Sequence, residues 1–147
     1  MIASFFNDGS SGGAGDETGD VLGIIQMVQD SNSGPEISMD VVRCSDSTCS
    51  NTTDVGTGFF TFAKKWVADQ PHTLLLFWDA ANNQISGFVD FNTAGQESHA
   101  ISYTPLSDGS APGFDFKDLR IQNVIANCAA GAVEGAMEAF FENFFAQ

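Results

Sequence analysis

The chain has 147 residues, of which 43% are hydrophobic, 14 are Phe and only 16% are charged; this is enough apolar material for the core of one domain and too much for a disordered segment. Five Lys and Arg against 19 Asp and Glu leave a formal net charge of −14, so there is no basic patch to displace counterions from nucleic acid or to hold an anionic membrane surface. Apolar runs such as Leu74 to Trp78 fall far short of the ~20 residues that cross a bilayer as a helix.

Short β-branched or aromatic runs punctuated by Gly, Asn, Asp and Ser dominate the chain, which is the pattern of strands and turns. Ile2 to Phe6 reads as a strand, and Asn7 to Asp20 as a long glycine-rich acidic loop. Val21 to Asp30 is a second strand, turned by Ser-Asn-Ser-Gly-Pro. From Glu36 to Cys44, Ile37, Met39 and Val41 alternate with Ser38 and Asp40, as in a half-buried strand. A cysteine loop follows, and Gly58 to Val67 reads as the next strand, with Lys64 and Lys65 set among aromatics.

His72 to Asp79 and Gln84 to Phe91 form the clearest hairpin, with Asn82 and Asn83 at its tip because Asn tolerates the positive φ of tight turns. Glu97 to Thr104 continues the meander, Pro105 to Phe114 is a loop, and Phe116 to Asn127 is a late strand with a bulge at Gln122 and Asn123. In the tail, Val133, Ala136, Met137, Phe140 and Phe144 recur at helical spacing, with Glu134, Glu138 and Glu142 on another face. No internal repeat or linker divides the chain, so residues 1–147 are expected to form one domain.

Cys44 and Cys49 close a short Cys-Ser-Asp-Ser-Thr-Cys stretch in which a disulfide is sterically reasonable, contributing about 2 kcal/mol at most because the loop is small. Cys128 reads as a buried small hydrophobe, and the cysteines and two scattered His lack zinc-ligand spacing. Glu36 and Asp40 do not have the spacing of a retaining glycosidase pair. His72 and His99 accompany no Gly-x-Ser-x-Gly and read as surface-facing strand residues. No catalytic residue is expected.

The most chemically loaded segment is the acidic loop. Asn7, Asp8, Asp16, Glu17 and Asp20 concentrate hard oxygen donors among glycines, a composition that either converges on calcium or simply keeps the loop solvated. Asp108, Asp115 and Asp118 would complete such a site only if their loop lay alongside. For sugar binding, which uses flat aromatic platforms with polar companions, the candidates are Trp66 and Tyr103 with Asn82 and Asn83. Trp78 ends an apolar run and is assigned to the core, whereas Trp66 follows two lysines and is expected at the surface.

Taken in order, "FNDGSSGG…TGDV", "VVRCSDSTCS", "LLFWDAANNQI", "ISYT…APGFDFKDLRI" and "ANC…MEAFFENFF" resemble a group of uncharacterised bacterial exported proteins with a concanavalin A-like lectin/glucanase, laminin G-like, jelly-roll domain. The resemblance covers Ile2 to Phe145 and is most specific at Trp78-Asp79-x-x-Asn82-Asn83 and at Pro112-Gly113-Phe114-x-Phe116-Lys117-x-Leu119. It implies an all-β, two-sheet antiparallel sandwich, with Phe140 to Phe145 as a last strand near the N-terminal one, against the helical periodicity of the tail.

It also implies a non-catalytic binding or adhesion module for a polysaccharide or cell-surface glycan, with calcium assistance. The alternatives are a structural subunit that self-associates through phenylalanine-rich edge strands, and a laminin G-like glycoside hydrolase. No leader is legible, since Ile2 to Phe6 is too short for its apolar segment. An opening strand directly after Met1 fits a mature chain, and the expected location is extracellular or periplasmic.

Overall fold

The computed structural model describes residues 2–6, 16–30, 34–79, 81–104 and 117–119. Among these residues every regular element is a strand: β1 (Ile2–Phe6), β2 (Val21–Asp30), β3 (Gly34–Cys44), β4 (Thr52–Thr61), β5 (Leu74–Asp79), β6 (Gln84–Val89), β7 (Glu97–Ser102) and β8 (Lys117–Leu119). They form a five-stranded sheet in the order β4-β3-β2-β1-β8 and a three-stranded sheet in the order β5-β6-β7. Every pairing is antiparallel. The chain therefore builds one meander, crosses to build the other, and returns to the first sheet beside β1. Both sides of β1 are taken, by β2 and β8, so the place beside the N-terminal strand is filled by Lys117–Leu119. The tail segment expected near it, and Cys128, lie outside the described residues.

Alternation buries one face of β2 and of β6. Val21 and Ile25 on β2, and Ile37, Met39 and Val41 on β3, meet Ile85 and Val89 on β6 and Ile101 on β7 in a single core, joined by Val55, Phe62 and Tyr103. The sheets thus pack face to face, β5 over β1 and β2, β6 over β3, and β7 over β4. Two glycines mark close approaches between the facing sheets. A Cβ at Gly23 would sit 3.1 Å from Ile85, and one at Gly87 would sit 3.0 Å from Met39 Sδ. Side chains there would force the layers apart.

The edge at β4 departs from the sequence reading. The strand begins at Thr52, not Gly58, and ends at Thr61. Its pairing with β3 passes from Val42↔Asp54 to Asp40↔Phe59, so Val55, Gly56, Thr57 and Gly58 stand opposite Val41 alone. Gly56 and Gly58 adopt φ of 63° and 64°, left-handed backbone that glycine enters without a Cβ penalty. The excursion carries β4 toward the other sheet, where a Cβ on Gly56 would lie 2.5 Å from the Ser102 carbonyl oxygen.

At the β5–β6 hairpin, Asp79 pairs with Gln84. The Asp79 carboxylate accepts the Asn82 backbone and side-chain N–H groups at 3.1 and 2.7 Å, and Asn83 takes φ 49°. Of the two Asn expected to tolerate a positive φ, Asn83 takes it and Asn82 does not; Asn82 instead closes the loop by its hydrogen bonds to Asp79.

Candidate functional site

Asn7 and Asp8 lie outside the described residues; Asp16, Glu17 and Asp20 occupy the segment that leads into β2. That segment is laid against the cysteine loop by backbone hydrogen bonds: Glu17 N–H to Ser47 O, Gly19 N–H to Cys44 O, and Cys44 N–H to Asp20 O. Asp16 uses a carboxylate oxygen to cap the turn at Thr18 N, 2.9 Å away, and Asp20 is 4% exposed. Among the described residues, the group whose donor atoms all fall within 4.8 Å of one another is Glu17 with Cys44 and Cys49. Those two sulfurs are joined in a disulfide and are not thiolate ligands. The carboxylates of Asp16, Glu17 and Asp20 are not brought together as a calcium set.

Asp46 organises the loop that the disulfide closes. One carboxylate oxygen accepts Thr48 N–H, Thr48 O–H and Ser50 N–H, and the other accepts the Asn51 backbone and side-chain N–H groups at 2.9 and 2.6 Å. These donors favour the ionised form. Led by the Asn51 side chain and the Ser50 amide, they pull the carboxyl from 3.8 down to about 2.

The two aromatic candidates are partly or largely buried and lie apart from one another. Trp66, expected at the surface, is half-buried and packs against the core, its indole N–H donating to Val28 O at 2.7 Å. The physical reason is that a Trp flanked by polar residues still buries its ring when a backbone carbonyl can satisfy the indole N–H. Tyr103 is 7% exposed and its hydroxyl accepts the Trp78 indole N–H at 2.7 Å. Its backbone N–H bonds Asn83 O, which places Tyr103 beside the hairpin tip, while Trp66 sits toward the far end of β2. Asn82 is held by Asp79.

What the fold does assemble is a recess at the Tyr103 end of the sandwich. Arg43 spans the two sheets there, donating to Gly19 O and to Thr104 O at 2.7 Å each. Around it, Thr53, Asp54, Val55 and Gly56 from β4 and Ser102, Tyr103 and Thr104 from the end of β7 line an open hollow of about 330 Å³. Asp54, Thr53, Ser102 and Thr104 are exposed. No spacing in the sequence points to this set, because it comes from three strands and depends on the β4 excursion. Nearby on β3, burial first and the Asp54 carboxylate second push the Asp40 carboxyl up, against the Val41 amide.

A second polar cluster ties three connections together. Asp90, at φ 53°, accepts Lys64 Nζ at 2.5 Å through one carboxylate oxygen and contacts His72 Nδ1 at 2.9 Å through the other. Lys64 also donates to Gly95 O, and its backbone N–H to Glu97. His72 and His99, read from sequence as surface-facing, both have a buried Nε2 without a hydrogen-bond partner. His99 stacks on Phe60 with ring centroids 3.6 Å apart. Each ring turns inward because a partner covers it: a carboxylate for His72, a phenyl face for His99.

No helix among the described residues is long and apolar enough to cross a membrane. No family model, curated protein or solved structure matches the chain.

Proposed function

We propose that this chain is a non-catalytic, exported binding module of concanavalin A-like jelly-roll type, whose ligand is a hydroxyl-rich glycan taken at the recess beside Arg43. The observation that carries the reading is the recess itself: one carboxylate, one guanidinium and four hydroxyl-bearing residues converge in an open hollow of about 330 Å³. A carboxylate can accept two neighbouring sugar hydroxyls, and hydroxyl side chains both donate and accept. The volume lies at the lower end of small-ligand sites, ~300–1,000 Å³, which fits one sugar residue at a chain end. Two face-to-face antiparallel sheets with a return of β8 to the first sheet support the jelly-roll assignment. The Cys44–Cys49 disulfide supports an oxidising, extracytoplasmic location.

A polysaccharide array followed by calorimetry on the strongest hit tests the reading. Asp54→Asn, at an exposed position, is expected to weaken binding about 10-fold or more, in line with the ~1.5–3 kcal/mol of hydrogen bonds to a charged group. An array with no hits, or a hit indifferent to Asp54→Asn, rejects the recess as the site. Calcium assistance rests on the composition of Asn7 to Asp20. A chelator that leaves both melting temperature and glycan binding unchanged removes it from the proposal.

A further inference from the structure

Among the described residues the two sheets have four edges, and three of them are blunted. β4 is broken by its excursion, β8 is a three-residue strand containing Lys117 and Asp118, and β7 carries Glu97 and His99 with Gly56 and the Lys64 amide drawn up against it. Such devices keep sheet edges from pairing with other chains. β5 has none of them. It ends the order β5-β6-β7, and its sequence Leu-Leu-Leu-Phe-Trp-Asp contains no Pro, no Gly and no charge before its last residue.

The outer face beside this edge is equally bare. Register places Leu75 beside Phe88 and Phe77 beside Ser86, and Phe88 beside Ser98 and Ser86 beside Ala100. Phe77 is 52% exposed. None of these residues is ionisable, on a chain of net charge −14. Two such chains repel one another through their net charge, and the described residues of this face add nothing to that repulsion.

We infer that β5 pairs with the β5 of a second copy, antiparallel and about a two-fold axis, joining the two three-stranded sheets into one. The strand's own alternation selects the register. Directly opposed residues must share a face, so the axis passes through a residue, Leu76 or Phe77. An axis at Phe77 sets Asp79 against Leu75 of the second copy on the apolar outer face. An axis at Leu76 sets Leu76 against Leu76, Leu75 against Phe77, and Leu74 against Trp78, with Asp79 opposite Thr73. The Leu76 register opposes only apolar residues from Leu74 to Trp78, sets Asp79 against a hydroxyl, and brings no carboxylate to another; it is the one adopted. A two-fold interface of this kind closes at the dimer.

Light scattering on the full chain over a wide concentration range tests this. The wild type is expected to run as a dimer, and both Phe77→Lys and Phe77→Glu to show a roughly twofold drop in mass with an unchanged circular-dichroism spectrum. Opposite charges at one position separate an edge effect from a change in net charge. Phe59→Lys, at a position equally exposed at 52% on the other sheet, is expected to leave the dimer intact. With Cys128 replaced by Ser, Leu75→Cys and Phe77→Cys chains are expected to cross-link faster when mixed than either does alone. A monomer at every concentration, a dimer that survives Phe77→Lys, or open-ended polymers would each overturn the proposal.

Discussion

His72 and Asp90 meet through a 2.9 Å contact between Nδ1 and a carboxylate oxygen, and the other oxygen of the same carboxylate holds Lys64. Three separate pieces of chain depend on that group: the exit from β4, the entry to β5, and the turn from β6 to β7. Burial works to raise the Asp90 carboxyl. Hydrogen bonds from Lys64 and His72, with their charges, outweigh it and hold the group below its ordinary 3.8. A folded-state value below the unfolded one contributes stability that is complete above the unfolded value, near pH 4, and is lost as pH falls through the lowered one. Asp90→Asn keeps a residue that tolerates the positive φ but removes the charge, so a loss of about 1–2 kcal/mol at neutral pH is expected. Urea unfolding at pH 7 and pH 3 should show a smaller pH effect in the variant. Equal pH effects in both proteins would remove Asp90 as the cause.

The Asp46 carboxylate gives a second acid-range signal, from the opposite end of the sandwich. With its carboxyl drawn down to about 2 by Asn51, Ser50 and Thr48, the cysteine loop is expected to hold its order from neutral pH down through pH 4 and to lose it only as pH approaches 2. Carbon-detected NMR of the side-chain carboxyls measures this directly. A midpoint near 3.8 for Asp46 would show that the five hydrogen bonds are not held in solution. Asn51→Ala, which removes the leading donor, should move the midpoint up.

Gly56 and Gly34 both adopt positive φ, 63° and 80°, yet their surroundings differ. Nothing lies within 4 Å of a Cβ at Gly34, whereas one at Gly56 would stand 2.5 Å from the Ser102 carbonyl oxygen. Gly34→Ala should therefore cost only the left-handed backbone penalty, ~1–2 kcal/mol. Gly56→Ala should add an overpacking cost of another ~1–3 kcal/mol, because β4 must draw back from β7. Chemical denaturation of the two variants checks the difference; equal losses would mean that the seam between β4 and β7 yields freely.

Gly56 also marks where the sequence stops being legible. β2 and most of β3 follow from their β-branched runs and alternation, and the β5–β6 hairpin from its Asn-rich tip, because in each case local pattern and tertiary structure agree. "TTDVGTG" carries turn residues, yet it belongs to β4. Its glycines serve the excursion that meets Ser102, a contact nearly fifty residues away that no local rule contains. The recess was invisible for the same reason, since Arg43, Asp54 and Thr104 are neighbours only after the sheets have faced one another. Trp66 departs from the surface position that the two preceding lysines suggest because its indole N–H finds the Val28 carbonyl.

Tyr103 separates a structural role from a binding one. Its hydroxyl accepts the Trp78 indole N–H at 2.7 Å, joining the end of β7 to β5 across β6, and its ring is 7% exposed at the wall of the recess. Tyr103→Phe keeps the ring and its packing but takes this acceptor from the indole N–H of the half-buried Trp78. Leaving a buried donor unsatisfied costs ~1–3 kcal/mol, so the variant should unfold earlier in urea, with no change in the slope of the transition. If Tyr103 supports the recess without touching ligand, glycan affinity at a temperature where the variant is fully folded should stay within about twofold of wild type, a free-energy change below ~0.5 kcal/mol. Asp54→Asn should do the reverse, weakening binding without moving the transition. A Tyr103→Phe variant that keeps its stability and loses its ligand would instead make the hydroxyl a binding group, and the 2.7 Å bond to Trp78 a contact of little consequence to the fold.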